Sequence, residues 1–262
     1  MNLVTLLTDF GIKDPYVAIM KGVMLSINPR LSFVDITHQV EAQDVREACF
    51  IIDECYRYFS LGTVHLCVVD PTVGSLRKAL VVSKKGQFFV GPDNGLFSLL
   101  LEGDELVHEI SNPRFMQGSL SGTFHGRDVF APAAAHLSLG LSPAELGPPV
   151  ARPEVLDALL PIEEEGVLTG TIVRFDRFGN AISNVSVDAF RDFAKGGAFR
   201  IEMGGLAFEG GLSESYYEGQ YTCLANSAGY LEFAFFRGDL QADKGIRKGE
   251  AVTIRRKGRR TS

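Results

Sequence analysis

Residues 3–36 read LVTLLTDFGIKDPYVAIMKGVMLSINPRLSFVDI. The stretch opens on a short apolar run, Leu3 to Thr8, that ends at Thr8-Asp9-Phe10-Gly11, the pattern of a buried strand leading into a turn. A helix is expected at once. Asp14 suits an N-cap with Pro15 at the first helical position, Val17, Met20, Met24 and Ile27 recur at helical spacing, and Asn28-Pro29 stops the run. Leu31 to Ile36 is a second strand. The pattern then repeats: Val45, Cys49, Ile52, Cys55 and Phe59 mark a helix from Val45 to Phe59, and TVHLCVV, Thr63 to Val69, is a third strand ending in Asp70-Pro71-Thr72. A β-α-β-α-β order implies a largely parallel sheet between helices, a Rossmann-like α/β domain.

Beyond residue 70 the style changes. Ala79 to Ser83 and Gln87 to Val90, joined by Lys84-Lys85-Gly86, suit a hairpin added to the sheet, and Gly91-Pro92-Asp93-Asn94-Gly95 is a turn cluster before a short apolar helix. Gly122-Thr123-Phe124-His125-Gly126-Arg127-Asp128 precedes an alanine-rich helix, Val129 to Leu139, which places its amides near the positive end of a helix dipole. Five of the eleven prolines then fall between Leu141 and Glu165, which reads as a linker. The expected division is an α/β domain over residues 1–147, a proline-rich linker over 148–165, and a smaller all-β domain over 166–262. In that last part the strand signals are Thr169 to Phe175, Ala181 to Val187, Ala198 to Glu202, Tyr221 to Ala225, Tyr230 to Phe236 and Ala251 to Arg255, with glycine-rich turns between them and no convincing long helix. An antiparallel barrel or sandwich is expected.

Composition removes several function classes. The 262 residues are 45% hydrophobic and 22% charged, with mean hydropathy +0.09, a globular rather than a disordered balance. The net charge of −6 argues against a nucleic-acid-binding protein; the basic tail IRRKGRR, Ile254 to Arg260, reads as a solvated end. No apolar stretch approaches the roughly 18–20 residues that span a bilayer, and the N-terminus meets an acid before any signal-like region forms. Cys49, Cys55, Cys67 and Cys223 show neither CxxC pairing nor zinc spacing. A reducing, cytoplasmic setting without a membrane partner is expected.

In open α/β sheets ligands bind beyond the carboxyl ends of the strands, and Asp9 and Asp70 are both placed there. Each alone reads equally well as a turn acid capping an amide. His125 alone reads as a hydrogen-bonded structural histidine, as do His38, His65, His108 and His136, and Arg77 as an exposed cation. A metal-dependent hydrolase holding an ion between Asp9, Asp35, His38 and Asp70 is one functional reading. A non-catalytic nucleoside-binding protein is another.

The order of six segments points further. TDFGIKDPYVAIMKG (Thr8 to Gly22), VVDPTVGSLR (Val68 to Arg77), GPDNGLF (Gly91 to Phe97), TFHGRDVFAPAAAHL (Thr123 to Leu137), RFDRFGNAISNV (Arg174 to Val185) and NSAGYLE (Asn226 to Glu232) occur in sequence across both expected domains. Together they resemble the S-adenosyl-L-methionine hydroxide adenosyltransferase family, relatives of the fluorinating and chlorinating enzymes that use the same substrate.

That resemblance implies hydrolysis of S-adenosyl-L-methionine to adenosine and L-methionine by attack of water or hydroxide at the ribose C5′, with no cofactor and no metal. The family's catalytic aspartate, arginine and histidine fall on Asp70, Arg77 and His125; the halogenases carry other residues at the aspartate and histidine positions. By the same resemblance Asp9 accepts from the ribose hydroxyls. Asp176 and Ser227 hold the methionine amino-acid group, with Glu232 a second candidate for its ammonium. Phe178 packs on the adenine and Asn180 reads it. Without the resemblance, Asp176-Arg177-Phe178-Gly179-Asn180 is an ordinary hairpin turn. A homotrimer is implied, with each site shared between neighbouring subunits. The sequence departs from the family at Ala234-Phe235-Phe236-Arg237, where an asparagine commonly lies near the adenine, and from the halogenases at Tyr16 and Gln43.

Overall fold

The computed structural model describes residues 2–256. It divides between Asp157 and Ala158 into two compact units. In chain order the first contains β1 (Leu3–Thr8), α1 (Tyr16–Ile27), β2 (Ser32–Thr37), α2 (Val45–Cys55), β3 (Val64–Val68), β4 (Ala79–Lys84), β5 (Gln87–Pro92), β6 (Leu106–Glu109), α3 (Ala131–Ser138) and α4 (Pro143–Leu146). Its strands form one sheet in the order β2-β1-β3-β5-β4-β6. The β1–β2, β1–β3 and β3–β5 pairs are parallel, and the β4 hairpin is antiparallel to both β5 and β6.

Side-chain alternation along the central strands sends successive residues to opposite faces. Val4, Leu6, Leu66 and Val68 pack with Met20 and Met24 of α1 and the alanines of α3. Leu7, Cys67, Val69 and Val82 pack on the other face with Ala48, Ile52 and Tyr56, from α2 and the turn after it. The near-continuous apolar runs of β1 and β3 are therefore those of strands buried on both faces.

Three local expectations are corrected. The first helix begins at Tyr16, with Pro15 as the cap residue and no side-chain cap bond, so Asp14 does not cap it. The second helix stops at Cys55 and tightens into a 3₁₀ turn, Tyr56–Tyr58; Asp44 caps its start by accepting from the Glu47 amide at 2.8 Å. Gly91 and Pro92 belong to β5, and the short apolar helix after them is a single 3₁₀ turn, Ser98–Leu100.

The stretch after α4 is not free chain. Glu109 N donates to Pro148 O at 2.9 Å and Val150 N to Val107 O at 2.8 Å, which lays residues 148–150 along the edge strand β6.

The second unit, described by itself, contains β7 (Ile162–Glu164), β8 (Val167–Phe175), β9 (Ala181–Ser186), α5 (Val187–Ala194), β10 (Phe199–Met203), β11 (Leu206–Glu209), β12 (Tyr221–Ala225), β13 (Tyr230–Phe235), α6 (Leu240–Lys244) and β14 (Ala251–Arg256). The strands make an eight-stranded, barrel-like antiparallel sheet, β11-β10-β14-β8-β9-β13-β12 with β7 against β8. Its core gathers Ile172, Val185, Ile201, Phe233, Val252 and Ile254. Here α5 replaces the expected end of the β9 strand: Ser186 caps it by accepting from Ala189 N at 3.1 Å, and Val187, Phe190, Phe193 and Ala194 form its buried stripe. Of the basic tail, Ile254 to Arg256 end β14; residues 257–260 lie outside the described residues. Among the described residues no helix is long and apolar enough to cross a membrane, and all four cysteines are free thiols.

Candidate active site

Parallel pairing sets Thr8 of β1 opposite Val68 of β3, so the loops carrying Asp9 and Asp70 leave the same edge of the sheet. Arg77, on the loop that follows β3, turns back onto Asp70. Its Nε lies 2.9 and 3.0 Å from the two carboxylate oxygens, and its Nη2 makes a short contact with Oδ2. The pair is enclosed, with the Arg77 and Asp70 side chains only 7% and 5% exposed. Phe130 lies under the guanidinium, 5.2 Å from its ring centre, and Nη1 donates to Lys78 O at 3.2 Å.

The same Nη2 reaches His125 Nδ1 at 2.9 Å. A guanidinium only donates, so Nδ1 accepts, and the neutral ring carries its proton on Nε2. Burial, and then the Arg77 charge, hold the His125 pKa below its ordinary value despite Asp70 and Asp128. The imidazole is thus a neutral donor whose tautomer is set by the arginine.

Two features hold the loops in register. Gly74 has φ +81° and faces the Gly122 carbonyl so closely that a Cβ there would collide with backbone. Asp128, 1% exposed, accepts from Ser121 N at 2.7 Å and from Arg127 Nε at 2.6 Å. Burial works against its ionisation, but the bonds from Arg127 and Ser121 win and lower its pKa. His125 directly precedes a π-helical turn, Gly126–Phe130, that runs into α3. The alanine-rich helix therefore starts later than Val129, and the extra residue per turn is of the kind often found at functional sites.

Asp9 Oδ2 accepts from Gln43 N at 2.9 Å, leaving further acceptor sites on its carboxylate. Beside it Phe10, Tyr16 and Phe124 form a three-ring cluster with centroids 5.1–6.1 Å apart. The four proposed metal ligands do not converge. His38 bonds to Thr8 Oγ1 at 2.9 Å and lies 3.1 Å from Asp35, which pairs with Lys21, while Asp70 is taken by Arg77. Among the described residues, no group of three or more potential ligands includes Asp9, Asp35, His38 or Asp70. His65 is structural, bonded to Thr5 and Gln87 at 2.7 and 2.6 Å, and burial presses its pKa to about 4.

The second unit holds a pocket of about 660 Å³ lined by Asp176, Phe178, Asn180, Tyr216, Phe235 and the segment Arg237-Gly238-Asp239, among others. Residues 176–180 form the expected tight turn: Asp176 Oδ1 accepts from Phe178 N and Asn180 N at 2.8 and 2.9 Å, and Oδ2 from Asn180 Nδ2 at 2.9 Å. The turn and the pocket are compatible, because the same geometry leaves Phe178 76% exposed. Glu232 is buried and accepts from Tyr216 Oη at 2.7 Å. Burial raises its pKa, the Asp176 charge adds to this, and the bonds from Tyr216 and Asn226 oppose it. Ser227 sits exposed on the turn between β12 and β13. Tyr216 and Asp239 have no role in the sequence reading, and Arg237 enters it only as the end of the Ala234-Phe235-Phe236-Arg237 departure from the family. The Tyr216-Tyr217 doublet ahead of β12 was a usable aromatic signal; nothing local marked Asp239.

Comparison with known proteins decides the family. The model of the SAM hydroxide adenosyltransferase N-terminal domain matches residues 4–147, and that of the C-terminal domain matches residues 170–253. The chain belongs to the SAM hydroxide adenosyltransferase family. Asp9, Asp70, Arg77 and His125 lie in the N-terminal match of this SAM hydroxide adenosyltransferase, and Asp176, Phe178, Asn180, Ser227 and Glu232 in the C-terminal one. A Thermus thermophilus protein named (R)-S-adenosyl-L-methionine hydrolase is 39% identical, covering 97% of this chain and 100% of its own. The crystal structure of an uncharacterized conserved protein from Thermotoga maritima superposes with TM-score 0.88 at 35% identity, over 97% of this chain and 100% of its own. A fluorinase from an Actinoplanes species is more distant, 26% identical over 96% of this chain and 97% of the fluorinase.

Proposed function

We propose that this SAM hydroxide adenosyltransferase hydrolyses S-adenosyl-L-methionine to adenosine and L-methionine, with Asp70, Arg77 and His125 as its catalytic residues. The observation that carries the reading is the enclosed Asp70–Arg77–His125 constellation in a chain that matches (R)-S-adenosyl-L-methionine hydrolases over nearly its full length. The leaving group is a sulfonium, which departs as a neutral thioether and needs no general acid. Only the water needs help. In this reading His125 Nε2–H donates to the water oxygen and aims its remaining lone pair at C5′, while Asp70 accepts one water hydrogen bond and takes that proton as the C–O bond forms. Arg77 orients the carboxylate and keeps the imidazole in the donating tautomer. An oriented base of this kind contributes roughly 10²–10⁴ in rate.

In the same reading Asp9 accepts from the ribose hydroxyls, Asp176, Ser227 and Glu232 take the methionine amino-acid group, Phe178 stacks on the adenine and Asn180 contributes an acceptor to it. In this reading no cofactor takes part in the reaction. The family resemblance supports a homotrimer in which the α/β domain of one subunit and the β domain of another complete each site, and the cysteines, without CxxC pairing or zinc spacing, fit a cytoplasmic setting. Chromatography of S-adenosyl-L-methionine incubated with the protein tests the reading. Stoichiometric adenosine and methionine are expected, lost in Asp70→Ala and His125→Ala while substrate binding persists. Intact substrate with the wild-type protein would leave a nucleoside-binding protein instead, and undiminished rates in both variants would remove the catalytic assignment.

A further inference from the structure

The pocket wall formed where the sequence departs from its family carries two charged side chains that the reading above does not use. Phe235-Phe236-Arg237-Gly238 closes as a tight turn, with Gly238 N donating to Phe235 O at 3.0 Å. A Cβ at Gly238 would run into the Phe235 ring, so the chain passes directly over that aromatic face. Arg237 adopts φ +57°, a left-handed backbone that is uncommon for a non-glycine residue and is retained where its surroundings impose it. Its guanidinium lies 5.2 Å over the Phe236 ring, and among the described residues it has no hydrogen-bonding or ion-pair partner. Asp239 follows and caps α6, its Oδ1 accepting from Ala242 N at 2.9 Å. The second carboxylate oxygen is not needed for the cap.

Arg237 and Asp239 line the same pocket as Phe178, Asn180, Tyr216 and Phe235. Aromatic walls suit a flat base, but the polar set decides which base. Asn180 commits an Nδ2 hydrogen to Asp176, so what it offers most freely is its carbonyl oxygen, an acceptor. A purine edge with an amino group beside a ring nitrogen needs an acceptor and a donor side by side. A carboxylate only accepts and a guanidinium only donates.

Resting on the functional reading above, we infer that Arg237 and Asp239 are the residues that select a 6-aminopurine. Asp239 Oδ2 accepts from the exocyclic amino group, and Arg237 donates to the adjacent ring nitrogen. A 6-oxopurine puts an acceptor where the amino group was, facing the carboxylate, and is rejected. The pair takes over the base reading that an asparagine performs in the family pattern.

Calorimetric titration of the full-length protein with adenosine and with inosine tests this without requiring turnover. The wild-type protein binds adenosine at least about tenfold more tightly than inosine, the range expected for one matched edge against one mismatched. Asp239→Asn keeps an Oδ1 that caps α6 but turns the other atom from acceptor to donor, so it narrows or reverses the preference. Arg237→Gly suits the left-handed backbone and weakens adenosine binding about tenfold. An unchanged adenosine-to-inosine ratio in Asp239→Asn overturns the inference, as does adenosine affinity within twofold of wild type in Arg237→Gly. In either case, adenosine binding and hydrolysis by the wild-type protein leave the functional reading standing. Absence of any nucleoside binding by the wild-type protein removes both.

Discussion

Arg77→Gln takes away the positive charge at the centre of the site while keeping a polar side chain of similar reach. With Asp70 only 5% exposed and Arg77 7%, solvent does little to screen the pair. The substitution strands a buried carboxylate, and breaking such a pair from one side costs about 3–5 kcal/mol. Urea unfolding monitored by circular dichroism should show that loss as a lower midpoint with an unchanged slope. Asp70→Asn/Arg77→Gln, which leaves no stranded charge, should fall short of the summed single losses by about 2 kcal/mol, as expected for contacting residues. His125 reports the same event separately. Burial still lowers its pKa, but the Arg77 contribution is gone and Asp70 still pulls upward, so its NMR titration moves toward higher pH and Nδ1 loses its donor. With the nucleophile no longer aimed, kcat should drop roughly 10²–10⁴-fold, equivalent to about 3–5 kcal/mol. A destabilisation under about 1 kcal/mol, together with an unmoved His125 titration, would refute the reasoning, because both follow from a buried arginine that holds Asp70 and His125 at once.

Three further perturbations test other parts of the structure. Gly74→Ala introduces a Cβ against the Gly122 carbonyl at φ +81°; it should cost about 1–3 kcal/mol and lower kcat more than it raises KM, which steady-state kinetics will show. Tyr216→Phe removes the donor to Glu232 and should raise KM for S-adenosyl-L-methionine several-fold to tenfold with kcat nearly intact, whereas a fall in kcat alone would count against a binding role. His65 is neutral in the fold, its pKa depressed to about 4, so the unfolded chain takes up a proton first as pH falls. Stability is full above pH ~6.5 and should decline toward pH ~4 by up to about 3 kcal/mol; His65→Gln should flatten that part of a stability–pH profile from thermal unfolding.

The sequence carried much of this protein in local patterns. The apolar runs at Leu3–Thr8 and Val64–Val68 and the α2 spacing were legible because strand and helix periods depend only on neighbours, and those elements suffice to put Asp9 and Asp70 at strand ends. The order of six motifs carried the family. Local patterns misplaced elements where two signals competed. Asp14 looked like a cap beside Pro15, yet α1 starts one residue beyond the proline. Val187 looked like a strand end until Phe190, Phe193 and Ala194 were seen to share one buried stripe with it.

Tertiary structure alone decided the chemistry of the site. Arg77 and His125 are 48 residues apart and meet because α3, which follows His125, packs on β3, which precedes Arg77, and because Gly74 admits the Gly122 backbone. That meeting makes His125 Nδ1 an acceptor and so determines where its proton sits. Asp239 had no local signature, and Arg237 was marked only as part of a departure from the family pattern, because the significance of both comes from facing a pocket whose other wall, the 176–180 turn, lies far away in sequence. Propensity is a property of a segment; donor and acceptor roles belong to whichever groups the fold brings within about 3 Å of one another.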